Sequence, residues 1–321
     1  MVKTVDVLGV PHAYELTSAT DSSVTLVFIH GWLLSREYWQ PIIQQLSPLY
    51  QCLSYDLRGF GDSQPVEKYG FTRQKVTQSA IASEGDLLRT NPVDVIVATE
   101  TSTTAIASPQ ADYSPAAYAH DLALLLQTLN LTNVWLIGHS LGGSIALWTA
   151  DLLPEVIRGV VCVNSGGGIY LKEEFERFRA AGEQLVKLRP RWLCYVPLVD
   201  LLMTRMNVVR PLSRQWGRQR LLDLVAAHPE AALGTLLDST TEEEVHQLPQ
   251  VVSRLKQPVY FIAGADDTIM ESQYVRHLAS FHHSFQCCAD NVIEISNCGH
   301  LAMVEQPDLV ATEINALVNK H

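Results

Sequence analysis

Short apolar runs alternate with helix-like segments along the chain. From the apolar runs we predict strands at residues 5–8, 12–16, 24–29, 51–55, 134–137, 157–163, 259–263 and 292–295. Helices are predicted at residues 37–46, 115–129 and 141–153, the second of them opened by Ser114 as N-cap and Pro115 in its first turn. Strands that alternate with helices predict an α/β protein with a mostly parallel central sheet flanked by helices.

Two long segments interrupt this alternation. About ninety residues separate the sixth predicted strand from the seventh, and loops that long usually carry their own structure and function. A second insertion, at about residues 66–112, contains an apolar run at 93–98 and a Ser/Thr-rich run at 99–104, which predict an extra strand or hairpin with a flexible flank. Two interpretations of this insertion stay open: it narrows the mouth of a functional site, or it is a solvated surface segment.

Composition and charge limit the classes of function. The 321 residues, 47% of them hydrophobic, suffice for one large domain with a sizeable core. The net charge of −11 argues against nucleic acid as a partner. We expect a cytoplasmic protein, because there is no uninterrupted apolar stretch of about twenty residues and residues 1–6 lack the apolar core of a secretory signal. The six cysteines show no C-x-x-C spacing, so we expect neither a metal site nor a disulfide framework.

The sequence Gly138-His139-Ser140-Leu141-Gly142 joins the fifth predicted strand to a predicted helix. A G-x-S-x-G sequence in this context is typical of a nucleophile elbow, in which the glycines relieve crowding around a serine held in a strained backbone conformation. The amides that open the following helix can donate hydrogen bonds to a developing oxyanion. Ser140 is therefore the candidate nucleophile.

A serine nucleophile needs a base, and the base needs an orienting acid. Asp267 follows the seventh predicted strand and His300 follows the eighth, in the order expected downstream of an elbow. We predict that His300 takes the proton of Ser140 and that Asp267 fixes the imidazole tautomer. An acyl-enzyme would form and water would release the acid, so no cofactor is required. Asp266 is the rival acid, and the alternative interpretation is a turn serine, a strand-end histidine and a helix-capping aspartate.

Five motifs extend this pattern over nearly the whole chain, at residues 28–32, 56–63, 138–142, 264–267 and 299–307. With them the chain resembles the α/β-hydrolase superfamily, in its serine-nucleophile, esterase and lipase-like branch with a helical cap. The resemblance implies the α/β-hydrolase fold with a cap inserted after the sixth strand. It also implies that the backbone amides of Trp32 and Leu141 form the oxyanion hole, that residues 56–63 brace the neighbouring loop, and that G-x-x-D spacing favours Asp267.

By the same resemblance, residues 1–165 and 256–321 form the hydrolase core and residues 166–255 form the cap. Between residues 169 and 220 this segment has eleven Lys and Arg against five Asp and Glu, although the whole chain is acidic. An apolar stretch at 192–203 lies among these charges. Such a segment is compatible with peripheral contact to a membrane and equally with a roof over an apolar pocket, and both hypotheses stay open.

An apolar cap predicts a bulky apolar, lipid-like ester as the small-molecule substrate. The predicted activity is that of a carboxylesterase or lipase-like serine hydrolase. The residues predicted to line the substrate pocket are His30, Gly31, His139, Trp192, Tyr195 and Leu301.

Other chemistries of the same fold can be weighed by single residues. Dehalogenases and epoxide hydrolases of the superfamily use Asp where this chain has Ser140, which argues against both. Hydrolases of carbon–carbon bonds commonly follow the catalytic histidine with Trp, where this chain has Leu301. A thioesterase and a cofactor-free haloperoxidase-like enzyme stay open. A receptor-like ligand-binding protein with slow or no turnover is the alternative from another class.

Overall fold

The computed structural model of the chain describes residues 1–64, 112–167, 172–286 and 291–321. These residues belong to one compact unit that spans Met1–Val66 and Asp112–His321. The strand predicted at 93–98 and the Ser/Thr-rich run at 99–104 lie outside the described residues.

An eight-stranded sheet forms the centre of this unit. Its strands are β1 (Lys3–Val7), β2 (Val10–Leu16), β3 (Thr25–Ile29), β4 (Gln51–Tyr55), β5 (Val134–His139), β6 (Ile157–Val163), β7 (Val259–Gly264) and β8 (Val292–Ile295). The spatial order is β1-β2-β4-β3-β5-β6-β7-β8. The pairs β1–β2 and β2–β4 are antiparallel, and every other pair in this order is parallel. The predicted fold class, a mostly parallel α/β sheet flanked by helices, is confirmed.

Twelve α-helices accompany the sheet in the part of the chain that the structure describes. They are α1 (Gln40–Leu46), α2 (Pro115–Thr128), α3 (Leu141–Leu152), α4 (Lys172–Lys187), α5 (Val199–Met203), α6 (Arg214–Ala226), α7 (Pro229–Ser239), α8 (Glu242–Arg254), α9 (Ser272–Ala279), α10 (His283–Gln286), α11 (Ala302–Glu305) and α12 (Pro307–Asn319). The N-cap predicted for α2 is present, because Ser114 Oγ accepts a hydrogen bond of 3.2 Å from the Ala117 amide.

The central strands are buried on both faces, as expected for parallel strands covered by helices. Their side chains alternate between two apolar clusters. Val27 and Leu136 join helices α2 and α3 in one cluster. Phe28 and Ile137 join α1 and α12 in the other. This period-two alternation fixes the register of the strands, and with it the positions of the loops at their carboxyl ends.

The predicted bounds of β4 and β6 agree with the structure. The helix predicted at 37–46 is corrected, because it consists of a 3-10 helix, Arg36–Trp39, followed by α1 from Gln40. The proline in the first turn of α1 has no N–H to donate to a carbonyl of the preceding turn. A new helix is therefore favoured to start there.

Helices α4 to α8 all lie between β6 and β7 in the chain, together with a 3-10 helix at Arg191–Tyr195. We refer to residues 172–254 as the helical insertion. The domain limits predicted from the sequence, with a cap at 166–255, stay a prediction. No helix among the described residues combines the length and the apolar character needed to cross a membrane.

Candidate active site

Ser140 lies at the turn between β5 and α3, with backbone angles φ 52° and ψ −118°. A non-glycine residue at positive φ is strained, and such strain is typical of a nucleophile elbow. The two flanking glycines are required sterically. A Cβ atom on Gly138 would lie 2.1 Å from the Gly142 carbonyl oxygen, and one on Gly142 would lie 2.3 Å from the Ile29 carbonyl oxygen. The glycine spacing thus lets the start of α3 approach β3 and β5 closely.

His300 and Asp267 are joined by a hydrogen bond. His300 Nδ1 lies 2.8 Å from Asp267 Oδ2, and both residues are buried. The other carboxylate oxygen of Asp267 accepts the amides of Ile269 and Met270 at 2.8 and 3.0 Å. Burial alone would raise the pKa of Asp267, but His300 and these two amides hold that pKa below its usual value. Asp266 is exposed, so the structure pairs His300 with Asp267 rather than with the rival acid.

Trp32 and Leu141, the residues predicted to supply the oxyanion hole, line the same cavity as Ser140. Among the described residues, no hydrogen-bond partner is recorded for the backbone amide of either residue. The Leu141 amide opens α3 and therefore has no partner within that helix. A hydrogen bond between Ser140 and His300 is also not recorded among the described residues, and such contacts often tighten only when substrate binds.

His139 holds the backbone of the His300 loop. Its Nε2 lies 2.7 Å from the His300 carbonyl oxygen, which can only accept, so Nε2 carries the proton. Nδ1 of His139 has no partner among the described residues and lies against Gly31, where a Cβ atom would approach it to 2.7 Å. Burial, and next the proximity of the His300 ring, lower the pKa of His139 to about 3, so this imidazole is neutral.

Asn164 is a site residue that the sequence analysis missed. It follows β6 with φ 49°, and its side-chain amide donates to Asp267 Oδ2 at 2.8 Å and to the Gly299 carbonyl at 3.1 Å. One side chain therefore contacts both the acid and the loop of the base. The available signal was its position, since the carboxyl ends of β6, β7 and β8 lie at one edge of the sheet.

His30 braces the loop that carries Trp32. His30 Nδ1 donates to the Gly31 carbonyl at 2.8 Å, and His30 Nε2 accepts the Leu57 amide at 2.9 Å. Burial lowers the pKa of His30 to about 4, so the ring remains neutral and keeps both roles. Leu57 lies in the segment 56–63, which was predicted to brace this loop.

The carboxylate of Asp56 connects the segment 56–63 to the start of the 3-10 helix Arg36–Trp39. Asp56 pairs with the Arg36 guanidinium and accepts the amides of Arg36 and Asp62 at 2.7 and 2.8 Å. Burial raises the pKa of Asp56, and the Arg36 charge opposes this shift.

The cavity at Ser140 combines apolar and hydroxyl-bearing side chains. Its apolar lining consists of Trp32, Leu141, Phe178, Leu236, Ile269 and Met270, and its hydroxyls belong to Ser140, Ser144, Ser165, Ser239 and Thr240. In the part of the chain that the structure describes, no group of three or more His, Cys, Asp or Glu side chains is arranged to hold a metal ion.

Comparison with known proteins identifies the family of the chain. A family model described as the alpha/beta hydrolase fold matches residues 24–307, which include every element of the elbow and of the His300–Asp267 pair. The chain belongs to the alpha/beta hydrolase family. It is 42% identical over 212 residues to an uncharacterized protein of Mycobacterium tuberculosis, an alignment that covers 62% of the chain and 60% of the relative. It thus spans less than two thirds of that relative.

Two further comparisons cover almost the whole chain. The 2-succinyl-6-hydroxy-2,4-cyclohexadiene-1-carboxylate synthase of an Enterobacter species is 25% identical over 287 residues, which is 89% of the chain and 88% of the synthase. A thermophilic esterase from Thermogutta terrifontis superposes with a TM-score of 0.69 at 18% identity, covering 100% of the chain and 98% of the esterase. At that identity the esterase establishes only the shared fold.

None of the six residues predicted for the substrate pocket is among the described residues that line this cavity. The side chains of Trp192 and Tyr195 are 63% and 84% exposed, because the 3-10 helix that carries them turns them to solvent. His30, Gly31, His139 and Leu301 are buried. Met270, which follows Asp267 closely, and Ser144, one helical turn after Ser140, line the cavity instead.

The helical insertion contacts the site through backbone carbonyls. The Trp32 indole donates to the Ala232 carbonyl at 2.8 Å, and the His300 amide donates to the Asn207 carbonyl at 2.9 Å. The insertion also contributes Phe178, Leu236, Ser239 and Thr240 to the lining of the cavity. The helical insertion therefore holds both the loop of the candidate oxyanion hole and the loop of the candidate base.

Proposed function

We propose that Ser140, His300 and Asp267 form a catalytic triad that hydrolyses a carboxylic ester, with the helical insertion as the cap of the active site. The observation that carries the proposal is the hydrogen bond from His300 Nδ1 to Asp267 Oδ2. With the proton on Nδ1, His300 Nε2 keeps a lone pair that can accept the proton of the Ser140 hydroxyl.

In the proposed reaction, Ser140 Oγ attacks the ester carbonyl while His300 takes the hydroxyl proton. The carbonyl oxygen becomes an oxyanion, which accepts hydrogen bonds from the amides of Trp32 and Leu141. His300 then gives its proton to the leaving alcohol, and an acyl-enzyme remains on Ser140. A water molecule deprotonated by His300 attacks the acyl group, releases the acid and restores the serine.

The lining of the cavity supports an ester with an apolar acyl group. Leu236, Phe178 and Met270 offer apolar surface, and the hydroxyls around them offer hydrogen bonds at few positions. Ligand sites commonly combine a mostly apolar wall with a few polar groups that fix orientation. A carboxylesterase or lipase-like specificity for bulky apolar esters is therefore the substrate class that we propose.

The proposal is tested with p-nitrophenyl esters from acetyl to palmitoyl and with a fluorophosphonate probe. We expect rates that rise with acyl length and labelling of the wild type but not of Ser140→Ala. Ser253→Ala, which alters an exposed serine on α8, is the matched control and should be labelled like the wild type. Hydrolysis of short esters alone would contradict the apolar substrate class, whereas unlabelled wild type would contradict the triad.

The 25% identity to the Enterobacter synthase over 89% of the chain favours a second candidate, the activity for which that synthase is named. If Ser140, His300 and Asp267 form a triad, both candidate activities need a reactive Ser140. A protein that is labelled at Ser140 but leaves every ester of the series intact would favour the second candidate.

A further inference from the structure

Five large apolar side chains protrude from the helical insertion, and we call them the apolar patch. Their exposed fractions are Leu188 71%, Trp192 63%, Tyr195 84%, Leu198 62% and Leu202 65%. They lie within fifteen consecutive residues. The 3-10 helix that carries the two aromatic residues packs against α5 and α6, so the patch is one region of the surface rather than a scatter of single side chains. Contiguous exposed apolar surface of this kind marks a binding surface.

The charged residues around the apolar patch are predominantly basic. From Lys187 to Leu222 the chain contains eight basic residues and a single acidic one, Asp200, in a protein of net charge −11. Asp200 is already paired with Arg214, at 2.6 Å between Oδ2 and Nε. Four of the other basic residues are also engaged. Lys187 pairs with Glu183 at 3.1 Å, and the other three donate to backbone carbonyls within the insertion, namely Arg189, Arg218 and Arg220.

Three exposed arginines remain for a partner. Arg191, Arg205 and Arg210 have no ion-pair partner among the residues that the structure describes. Arg191 adjoins Trp192 in the chain, and Arg205 follows Leu202 by three residues. An anionic partner is therefore favoured at this face, although the molecule as a whole would repel one.

We propose that the apolar patch and these arginines dock the protein on an anionic lipid bilayer. Trp and Tyr side chains, each with an apolar body and a polar end, favour the boundary between headgroups and acyl chains. Arginines beside them contact lipid phosphates and anionic headgroups. The side chains of the patch are 62% to 84% exposed, and such protruding side chains suit a deformable bilayer better than a peptide. A symmetric pair of chains joined by this patch would bring the basic segment against itself, so charge disfavours a second copy.

The test is co-sedimentation of the full-length protein with vesicles of pure phosphatidylcholine and with vesicles that also contain phosphatidylglycerol. We expect binding to the anionic vesicles to be about tenfold stronger or more, and to weaken as salt is raised. Ser140→Ala should bind like the wild type, because docking does not depend on the proposed hydrolysis.

Two double variants separate the apolar and the charged contributions. Trp192→Ser/Tyr195→Ser and Arg191→Glu/Arg205→Glu should each weaken binding by about tenfold or more. Their matched controls carry comparable apolar-to-serine and basic-to-glutamate changes at exposed positions elsewhere, namely Leu49→Ser/Leu309→Ser and Lys3→Glu/Lys256→Glu. The controls should bind within about twofold of the wild type. Circular dichroism and thermal unfolding verify that every variant is folded.

Three results would overturn the proposal. One is equal binding to neutral and anionic vesicles. Another is an equal loss of binding in the patch variants and their controls. The third is absence of vesicle binding together with a dimer in solution that Trp192→Ser/Tyr195→Ser dissociates, which would assign the patch to a second copy of the chain.

Discussion

His139 connects the elbow strand to the proposed base through a single hydrogen bond. Its ring donates from Nε2 to the His300 carbonyl, and it is neutral because burial lowers its pKa to about 3. It therefore acts on the position of the His300 loop and takes no part in proton transfer near neutral pH. A positioning residue of this kind should affect turnover without adding an ionisation to the pH profile.

We expect His139→Leu to lower kcat for the best ester by about 10- to 100-fold, with little change in KM. The variant should also lose roughly 1–3 kcal/mol of unfolding free energy, because the His300 carbonyl is left buried without its donor. His139→Gln retains an N–H donor and should recover much of the activity. Steady-state kinetics over a range of pH checks this, and a shifted acid limb in His139→Gln would contradict the positioning role.

Asn164 affects the proposed acid directly, because its amide donates to the same carboxylate oxygen that His300 contacts. Two variants tolerate its positive φ of 49°. Asn164→Gly removes the donor, and Asn164→Asp replaces it with a second carboxylate that raises the pKa of Asp267. We expect kcat to fall by roughly tenfold in Asn164→Gly and further in Asn164→Asp. If Asn164→Gly and Asn164→Asp have the same kcat as each other, the Asn164 amide contributes only packing.

At the scale of elements, the helical insertion is bound to the oxyanion-side loop by buried polar contacts. Ser35 Oγ donates to Asp223 Oδ2 of α6 at 3.1 Å. Three residues earlier in the chain, the Trp32 indole donates to a backbone carbonyl of α7. Burial raises the pKa of Asp223 to about 7, against the hydrogen bonds from Gln219 and Ser35, which lower it. The contact between core and insertion therefore changes charge near neutral pH.

The sign of the pH dependence follows from this raised pKa. The buried neutral carboxyl is favoured, so its contribution to stability is complete below about pH 4 and is lost as the pH rises through about 7. Asp223→Asn keeps the neutral shape. We expect its free energy of unfolding to exceed that of the wild type, and this excess to grow by roughly 1–3 kcal/mol between pH 5 and pH 8. Urea unfolding at the two pH values measures the free energies. A difference between variant and wild type that is the same at both pH values would contradict the prediction.

The sequence predicted the elements whose pattern is local. Strand β6 and the elbow were found because a buried strand contains a continuous apolar run and because the glycine spacing around Ser140 is a steric requirement. The walls of the cavity were not predictable in the same way. An apolar run such as the one at Trp192 has two faces, and only the packing of the 3-10 helix against α6 decides which face is exposed.

At the scale of the whole molecule, buried histidines and buried carboxyls oppose each other in their effects on stability. Burial lowers the pKa of His30, His139 and His282 to about 4, 3 and 4, and it also lowers the pKa of His12 and His321. Between about pH 5 and 6.5 the unfolded chain protonates its histidines, while the folded chain keeps His30, His139 and His282 neutral.

Two carboxyls of the helical insertion act in the other direction. Asp223 and Glu244, both with a pKa that burial raises to about 7, hold protons in the folded chain that the unfolded chain releases. Because the three histidines outnumber the two carboxyls, these five groups together bind more protons in the unfolded state, and their joint contribution to stability falls as the pH is lowered from 6.5 to 5.

Removing the two carboxyls should make this acid destabilisation steeper. In Asp223→Asn/Glu244→Gln the histidines act without opposition, so the loss of unfolding free energy per pH unit should increase by roughly twofold. Urea unfolding from pH 5 to pH 6.5 measures the slope for this variant, for the wild type and for the control Asp21→Asn/Glu155→Gln, which alters two exposed carboxyls. The control should keep the wild-type slope. If the double variant keeps it as well, the buried carboxyls titrate alike in the folded and unfolded chain, and the balance of protons must come from other groups.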